Sequence, residues 1–145
     1  MAKVLYTAEA EVTGGRGAGH GHTSDGQLDV ELRAPEEMGG QGGGTNPEQL
    51  FAIGFAACFE SALGAVGRRR KVVADDAVIE SKVKLFTTED RAFDLAVDMD
   101  VTLPSIDDPT EALETVRAAH GVCPYSRATR GNIEVAFTVN GQAID

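Results

Sequence analysis

Two cysteines, Cys58 and Cys123, are the side chains of this sequence best suited to covalent chemistry. Two are too few for a disulfide scaffold or a four-cysteine zinc site, and cytosolic cysteines are mostly reduced. The pair can work as a thiol–disulfide couple if the fold brings the two Cα atoms within about 4.4–6.8 Å. The alternative for Cys58 is a small buried apolar residue, which free cysteines commonly are.

Cys123 precedes Pro124 at a predicted helix start. A cysteine at a helix N-terminus is stabilised as the thiolate, so this position favours a reactive thiol. The alternative is a residue that only caps the helix and has no redox role. The sequence alone leaves both alternatives open for each cysteine.

Arg16 and Glu48 are the charged residues that would serve such a thiol. Arg16 lies in a glycine-rich segment, where its guanidinium can approach a buried anion, lower a thiol pKa or hold a carboxylate. Glu48 is its natural partner. The alternatives are a solvated loop arginine and a glutamate that only compensates the positive end of a helix dipole.

Other kinds of site have little support. His20 and His22 stand close together, but the chain has 3 histidines and no evident third metal ligand, so no metal is predicted. The alternating glycines from Gly15 to Gly21 do not match a dinucleotide fingerprint, and no Walker lysine follows a glycine run. No Ser-His-Asp pattern is evident. We therefore expect no bound cofactor.

A long helix must position Glu48 and Cys58. Asn46 can cap it, Pro47 fits the first helical position, and the pattern extends to about Gly67. Its first half is apolar on every side, which predicts burial on every side.

Glu48 and Cys58 are 10 positions apart on this helix, which is about 15 Å along its axis. The two side chains therefore cannot meet within one chain unless the helix breaks. If both serve one site, Glu48 comes from a second subunit. A two-fold dimer with the helix at its centre would also bury the apolar surface.

The remaining patterns predict a single α+β domain over residues 1–145 in the order β-β-α-β-β-α-β. The second predicted helix begins at Asp108-Pro109 and ends near Gly121. A long glycine-rich connection joins the first two strands. The strands are predicted at Val4–Val12, Leu28–Leu32, Ile79–Leu85, Phe93–Leu103 and Ile133–Val139.

Charge and hydropathy exclude several functions. The net charge of −10 opposes binding to nucleic acid or to an anionic membrane surface. No uninterrupted apolar run approaches the length of a transmembrane helix. The first residues lack a long apolar signal core, which predicts a cytoplasmic protein.

Three segments together resemble one family of bacterial proteins. They are Gly44–Phe59 with the pattern GTNPEQLF and GFAACF, Val122–Ser126 with VCPYS, and Gly14–Arg16 with GGR. This arrangement resembles the organic hydroperoxide resistance (Ohr) branch of the Ohr/OsmC family. The similarity covers essentially the whole chain in order.

The resemblance implies a thiol-dependent peroxidase. Cys58 would be the peroxidatic cysteine and Cys123 the resolving cysteine. Arg16 would stabilise the Cys58 thiolate and polarise the peroxide. Glu48 would hold Arg16 in place by an ion pair.

The resemblance also implies an intertwined α+β homodimer, with mixed β-sheets around a long central buried helix and two sites at the subunit interface. Organic hydroperoxides would be the substrates, and dihydrolipoyl groups of a lipoylated protein would be the external reductant. Four aromatic residues would line the site and bind an apolar tail, or form the dimer core: Phe51, Phe55, Phe59 and Tyr125.

Two other functions are compatible with the sequence. One is an OsmC-type peroxidase with a broader range of peroxides. The other is a non-catalytic redox sensor or lipid-binding module that uses the thiols as a switch.

Overall fold

The computed structural model describes residues 2–144, which form two compact units. The first unit ends at Leu50 and the second begins at Phe51, so the division falls within the long helix. The seven strands are β1 (Ala10–Thr13), β2 (Gly19–Thr23), β3 (Asp29–Arg33), β4 (Val78–Thr87), β5 (Phe93–Thr102), β6 (Glu134–Val139) and β7 (Gln142–Ile144). The helices are α1 (Gly15–Ala18), α2 (Pro47–Arg70), α3 (Pro109–Val122) and α4 (Pro124–Thr129), with a 3₁₀ turn at Glu36–Met38.

The first unit contains an antiparallel sheet in the order β1-β2-β3. Strand β2 corrects the sequence prediction, which placed a long glycine-rich loop between the first two strands. Its sequence has no apolar alternation, so periodicity could not reveal it. The strand pairs on both sides, since Gly21 stands opposite both Val12 and Val30. The predicted first strand is also shorter, because β1 begins at Ala10 rather than Val4.

The second unit is built on a four-stranded mixed sheet in the order β4-β5-β6-β7. Strand β5 pairs antiparallel with β4 and parallel with β6. The alternation predicted for β5 is confirmed from Val97 onward, because Val97, Met99 and Val101 are buried while Asp100 is exposed. It is wrong for Phe93, which is 70% exposed at the start of the strand. Strand β7 was not predicted, since it is a short segment after the turn at Asn140-Gly141.

Helix α2 begins as predicted, because the Asn46 side chain accepts a hydrogen bond of 2.9 Å from the Gln49 backbone N–H. It continues through Gly67 to Arg70. One face is buried in the second unit through Phe55, Phe59, Leu63 and Val66. The single chain covers only one face of the helix, so the predicted burial on every side depends on the second subunit of the predicted dimer and stays a prediction.

The uncovered side of α2 is a stripe of residues at helical spacing. Ile53 is 71% exposed. Ala57 and Ser61 follow it at intervals of one turn and are also exposed. An apolar residue as exposed as Ile53 in the middle of a long helix is a candidate contact with another chain.

By length and composition alone, α2 would be able to cross a membrane. The core helix of a soluble protein meets the same criterion. Phe55, Phe59 and Leu63 are fully buried in the second unit, which accounts for much of the apolar composition. The charged side chain of Glu60 interrupts the apolar sequence.

Two helices meet end to end around Cys123. Helix α3 begins as predicted, with the Asp108 carboxylate accepting a 3.0 Å hydrogen bond from the Thr110 backbone N–H. It ends at Val122, one residue beyond the predicted stop at Gly121. Cys123 is extended, with φ −63° and ψ 126°, and caps α4. Pro124 explains this break, because proline disfavours helical backbone in the residue before it.

Candidate active site

The structure brings the two cysteines together within the second unit. Cys58 lies on α2, and Cys123 lies at the junction between α3 and α4. Both thiols are free, and their Sγ atoms are 3.6 Å apart. This contact places one sulfur within reach of the other, so a disulfide can form after a modest approach.

The two thiols differ in their access to solvent. Cys123 is fully buried, whereas Cys58 is partly exposed. A dissolved reactant therefore meets Cys58 first. Cys123 is placed to react with whatever forms on Cys58.

The environment of Cys58 contains opposing influences on its pKa. Burial raises the pKa above its ordinary value, a hydrogen bond with the Tyr125 backbone lowers it, and the adjacent Cys123 raises it again. The net direction is upward. None of these influences comes from a cation in the described part of the chain. A thiolate at neutral pH therefore needs a further positive charge.

Three aromatic rings form a cluster on α2 and α4, the helices that carry Cys58 and follow Cys123. The centroids of Phe51 and Phe55 are 5.7 Å apart, and the Tyr125 ring lies 5.9 Å from Phe51 and 5.7 Å from Phe55. Phe55 is fully buried, Phe51 is half-buried and Tyr125 is 38% exposed. The cluster gives an apolar surface that a hydrocarbon chain can contact.

Phe59, the fourth predicted aromatic residue, lies elsewhere in the second unit. It is fully buried, and its ring centroid lies 4.9 Å from that of Phe137 on β6. The structure therefore places Phe59 in the core. A contribution of Phe59 to substrate binding stays a prediction.

Arg16 and Glu48 form an ion pair in the first unit. One guanidinium nitrogen, Nη1, donates to both carboxylate oxygens, at 2.9 and 3.1 Å. Arg16 lies in helix α1. The two residues before Arg16, Gly14 and Gly15, have φ values of 76° and 67°. Glycine adopts this left-handed backbone without strain, so the turn depends on the glycines. The ion pair between Arg16 and Glu48 that was predicted from the sequence is therefore present in the structure.

The histidines have a structural explanation. Nε2 of His20 lies 2.5 Å from Oδ1 of Asp29, and the rings of His20 and His22 stack at 5.5 Å. The hydrogen bond raises the pKa of His20. Within residues 2–144, no three or more His, Cys, Asp or Glu side chains form a group suited to a metal ion. The contact of His20 with Asp29 was not predicted, because it depends on strand β2, which sequence periodicity does not reveal.

A sequence model described as "OsmC-like protein" matches residues 40–138. An organic hydroperoxide resistance protein from Xanthomonas axonopodis pv. citri is 47% identical over 139 residues, which cover 94% of this chain and 96% of that one. The chain belongs to the Ohr/OsmC family. The family predicted from the cysteine segments is therefore confirmed.

Solved structures of Ohr proteins share the fold. A crystal structure from Legionella pneumophila has a TM-score of 0.89 and 46% identity, covering 94% of this chain and 98% of that one. The OhrB protein of Bacillus subtilis has a TM-score of 0.83 and 42% identity, covering 94% and 99%. These similarities confirm the predicted Ohr/OsmC-like α+β fold with two sheets and a long helix.

The pKa of Cys58 should respond to removal of its neighbour. In Cys123→Ala, the influence of the second thiol that raises the pKa is lost, while the Tyr125 backbone remains. We expect a lower pKa, so that a larger thiolate fraction makes Cys58 react faster at a given pH. The measurement is the rate of iodoacetamide alkylation at Cys58 between pH 6 and 10, an interval chosen to span the ordinary pKa of about 8.5.

Cys58→Ser is the control for that experiment, because it removes the thiol being measured. A profile for Cys123→Ala that coincides with the wild type, or lies at higher pH, would contradict the assignment.

Proposed function

We propose that this protein is a thiol-dependent peroxidase that reduces organic hydroperoxides to alcohols. Cys58 is the peroxidatic cysteine and Cys123 the resolving cysteine. The observation that carries the proposal is the 3.6 Å contact between two free thiols, of which only Cys58 is accessible. The organic hydroperoxide resistance proteins to which the chain is similar support the substrate class.

The reaction proceeds in two steps on the enzyme. The Cys58 thiolate attacks the distal peroxide oxygen, the O–O bond breaks, and the alkoxide leaves and takes a proton to become the alcohol. Cys58 is oxidised to a sulfenic acid. The Cys123 thiol then attacks the Cys58 sulfur, a disulfide forms and water leaves.

An external dithiol restores both cysteines by thiol–disulfide exchange. A dihydrolipoyl group of a lipoylated protein is the proposed reductant, and the protein acts in the cytoplasm. Because Cys123 is buried, the reductant attacks the Cys58 sulfur of the disulfide. Cys123 then leaves as the thiolate and is protonated, and the reductant is bound to Cys58 in a mixed disulfide. The second thiol of the dihydrolipoyl group attacks its own sulfur in that mixed disulfide, the bond to Cys58 breaks, and the cyclic lipoyl disulfide leaves while Cys58 is restored as the thiolate.

The aromatic surface selects the substrate. Phe51 and Tyr125, which pack on the buried Phe55 ring, present the apolar area of this cluster, and apolar burial favours alkyl or fatty-acid hydroperoxides over hydrogen peroxide. Hydrogen peroxide has no hydrocarbon part to gain from this contact.

Arg16 supplies the missing positive charge in this proposal. A cation beside Cys58 favours its thiolate and polarises the peroxide, and the carboxylate of Glu48 fixes the guanidinium. Removal of either residue is then expected to leave the thiol pair intact while slowing the first oxidation.

The proposal places Arg16 and Glu48 of one subunit at Cys58 of its partner in a homodimer. Helix α2 is unbroken from Pro47 to Arg70, so Glu48 and Cys58 are about 15 Å apart along it. The exposed stripe that begins at Ile53 and continues through Ala57 and Ser61 supports a further chain against α2. Both arguments favour sites shared between subunits.

Peroxide turnover tests the function directly. With dihydrolipoamide as reductant, the wild type should consume cumene hydroperoxide at least about tenfold faster than hydrogen peroxide, since tenfold requires only 1.4 kcal/mol of selective binding. Cys58→Ser should show no turnover. Without added reductant, Cys123→Ser should consume one equivalent of peroxide and stop at a Cys58 sulfenic acid, because it has no resolving thiol to convert that acid into a disulfide.

Steady-state turnover by Cys58→Ser would exclude the mechanism. Equal rates with both peroxides would favour the broader OsmC-type activity. Slow stoichiometric oxidation of the wild type without recycling would favour a redox sensor.

The shared site is tested by mixing two inactive variants. Arg16→Ala retains Cys58 but is expected to oxidise at least about a hundredfold slower, as loss of one charge-stabilising donor costs other enzymes about 10²–10³-fold. Cys58→Ser retains Arg16. A mixed dimer has one complete site if Arg16 acts across the interface, so co-expressed and differently tagged chains should recover about half of the wild-type rate.

If Arg16 served Cys58 of its own chain, the mixed dimer would have no complete site and would stay inactive. Co-expression of Cys58→Ser with Cys58→Ala is the matched control, because neither partner supplies a thiol. Recovery of activity in that control would invalidate the assay rather than support the shared site.

A further inference from the structure

Gly54 stands in the interior of α2, where glycine is unfavourable. In a helix interior, glycine is the least favourable residue after proline, because of its backbone freedom in the unfolded chain. Gly54 lies four residues, about one turn, before Cys58 on the same helix. A glycine retained there calls for a reason in packing.

The Tyr125 ring occupies the space beside Gly54. A Cβ atom at position 54 would lie 3.2 Å from the Tyr125 hydroxyl oxygen and 3.6 Å from two ring carbons. The first distance is tighter than nine in ten real contacts of a Cβ atom, so the hydroxyl would have to shift by a few tenths of an ångström, whereas the second is ordinary van der Waals contact. Of these three atoms, only the hydroxyl oxygen therefore conflicts with a Cβ atom at position 54.

Tyr125 connects this packing to the thiols. Its ring lies against α2 and stacks on Phe51, while its backbone hydrogen-bonds with Cys58. Tyr125 is also two residues after Cys123 and belongs to the first turn of α4. A displacement of the ring from α2 would therefore move the start of α4, and with it the Cys123 sulfur.

We propose that Gly54 is a positioning residue for the thiol pair: its missing side chain lets the Tyr125 ring pack on α2, which holds the start of α4 against Cys58. Gly54 touches no reacting atom. It acts through Tyr125 on the separation of the two sulfurs and on the hydrogen bond to Cys58. The inference rests on the proposed role of Cys58 as the attacking thiol and deepens it.

A graded series of side chains at position 54 tests the proposal. Gly54→Ala forces a small shift of the ring, and Gly54→Leu requires a large one. Alkylation of Cys58 by iodoacetamide at pH 7, read by peptide mass spectrometry, should slow by about threefold and about tenfold; tenfold corresponds to one unit in the pKa of Cys58. Disulfide formation after one equivalent of cumene hydroperoxide should slow in the same order.

A double-mutant cycle identifies the cause. Tyr125→Phe removes only the hydroxyl oxygen, the atom that conflicts with a Cβ at position 54. The double variant Gly54→Ala/Tyr125→Phe should therefore alkylate Cys58 at the same rate as Tyr125→Phe alone. Gly121→Ala is the matched control in another helix, because a Cβ there meets nothing within 4 Å, and it should leave Cys58 reactivity unchanged.

Wild-type rates in both Gly54 variants would overturn the proposal, as would an undiminished effect of Gly54→Ala in the Tyr125→Phe background. The alkylation rate of Cys58 is measured without peroxide, so it tests the role of Gly54 independently of whether the protein is a peroxidase. A chemical denaturation curve for each variant verifies that a lost rate reflects a folded protein.

Discussion

The 3.6 Å contact between the sulfurs of Cys58 and Cys123 depends on three helices, because the junction between α3 and α4 lies against the middle of α2. Cys58 is held in the centre of α2, whose buried face packs in the core of the second unit. Cys123 is held at a break between α3 and α4 that Pro124 imposes on the backbone. The contact therefore follows from core packing on one side and from one local backbone restriction on the other.

Burial determines which of the two thiols a dissolved reactant can reach, and it also disfavours the thiolate that must react. It conceals Cys123 completely and leaves Cys58 as the accessible sulfur, which sets the order of the two proposed steps. The same burial raises the pKa of Cys58 and opposes formation of the thiolate. In the proposed homodimer, the guanidinium of Arg16, held by Glu48, stabilises the Cys58 thiolate, because a nearby positive charge compensates a negative charge in an apolar site.

Local signals in the sequence predicted local structure well. Asn46 and Asp108 cap helices as expected, and β5 alternates between buried and exposed residues, since each signal involves only near neighbours. Strand β2 was missed because glycine and histidine carry no apolar alternation. The exposure of Ile53 was missed because burial depends on the other elements of the fold. The meeting of Cys58 with Cys123 is a tertiary contact, and residue patterns left it open until the family resemblance implied it.

The central claim is that the two cysteines form one redox centre. The most direct test treats the reduced wild type with one equivalent of cumene hydroperoxide, blocks the remaining thiols by alkylation and maps the peptides by mass spectrometry. We expect a single crosslink between the peptides of Cys58 and Cys123 within one chain, with neither thiol alkylated. Alkylation of both cysteines, or a crosslink that joins two chains instead, would contradict it.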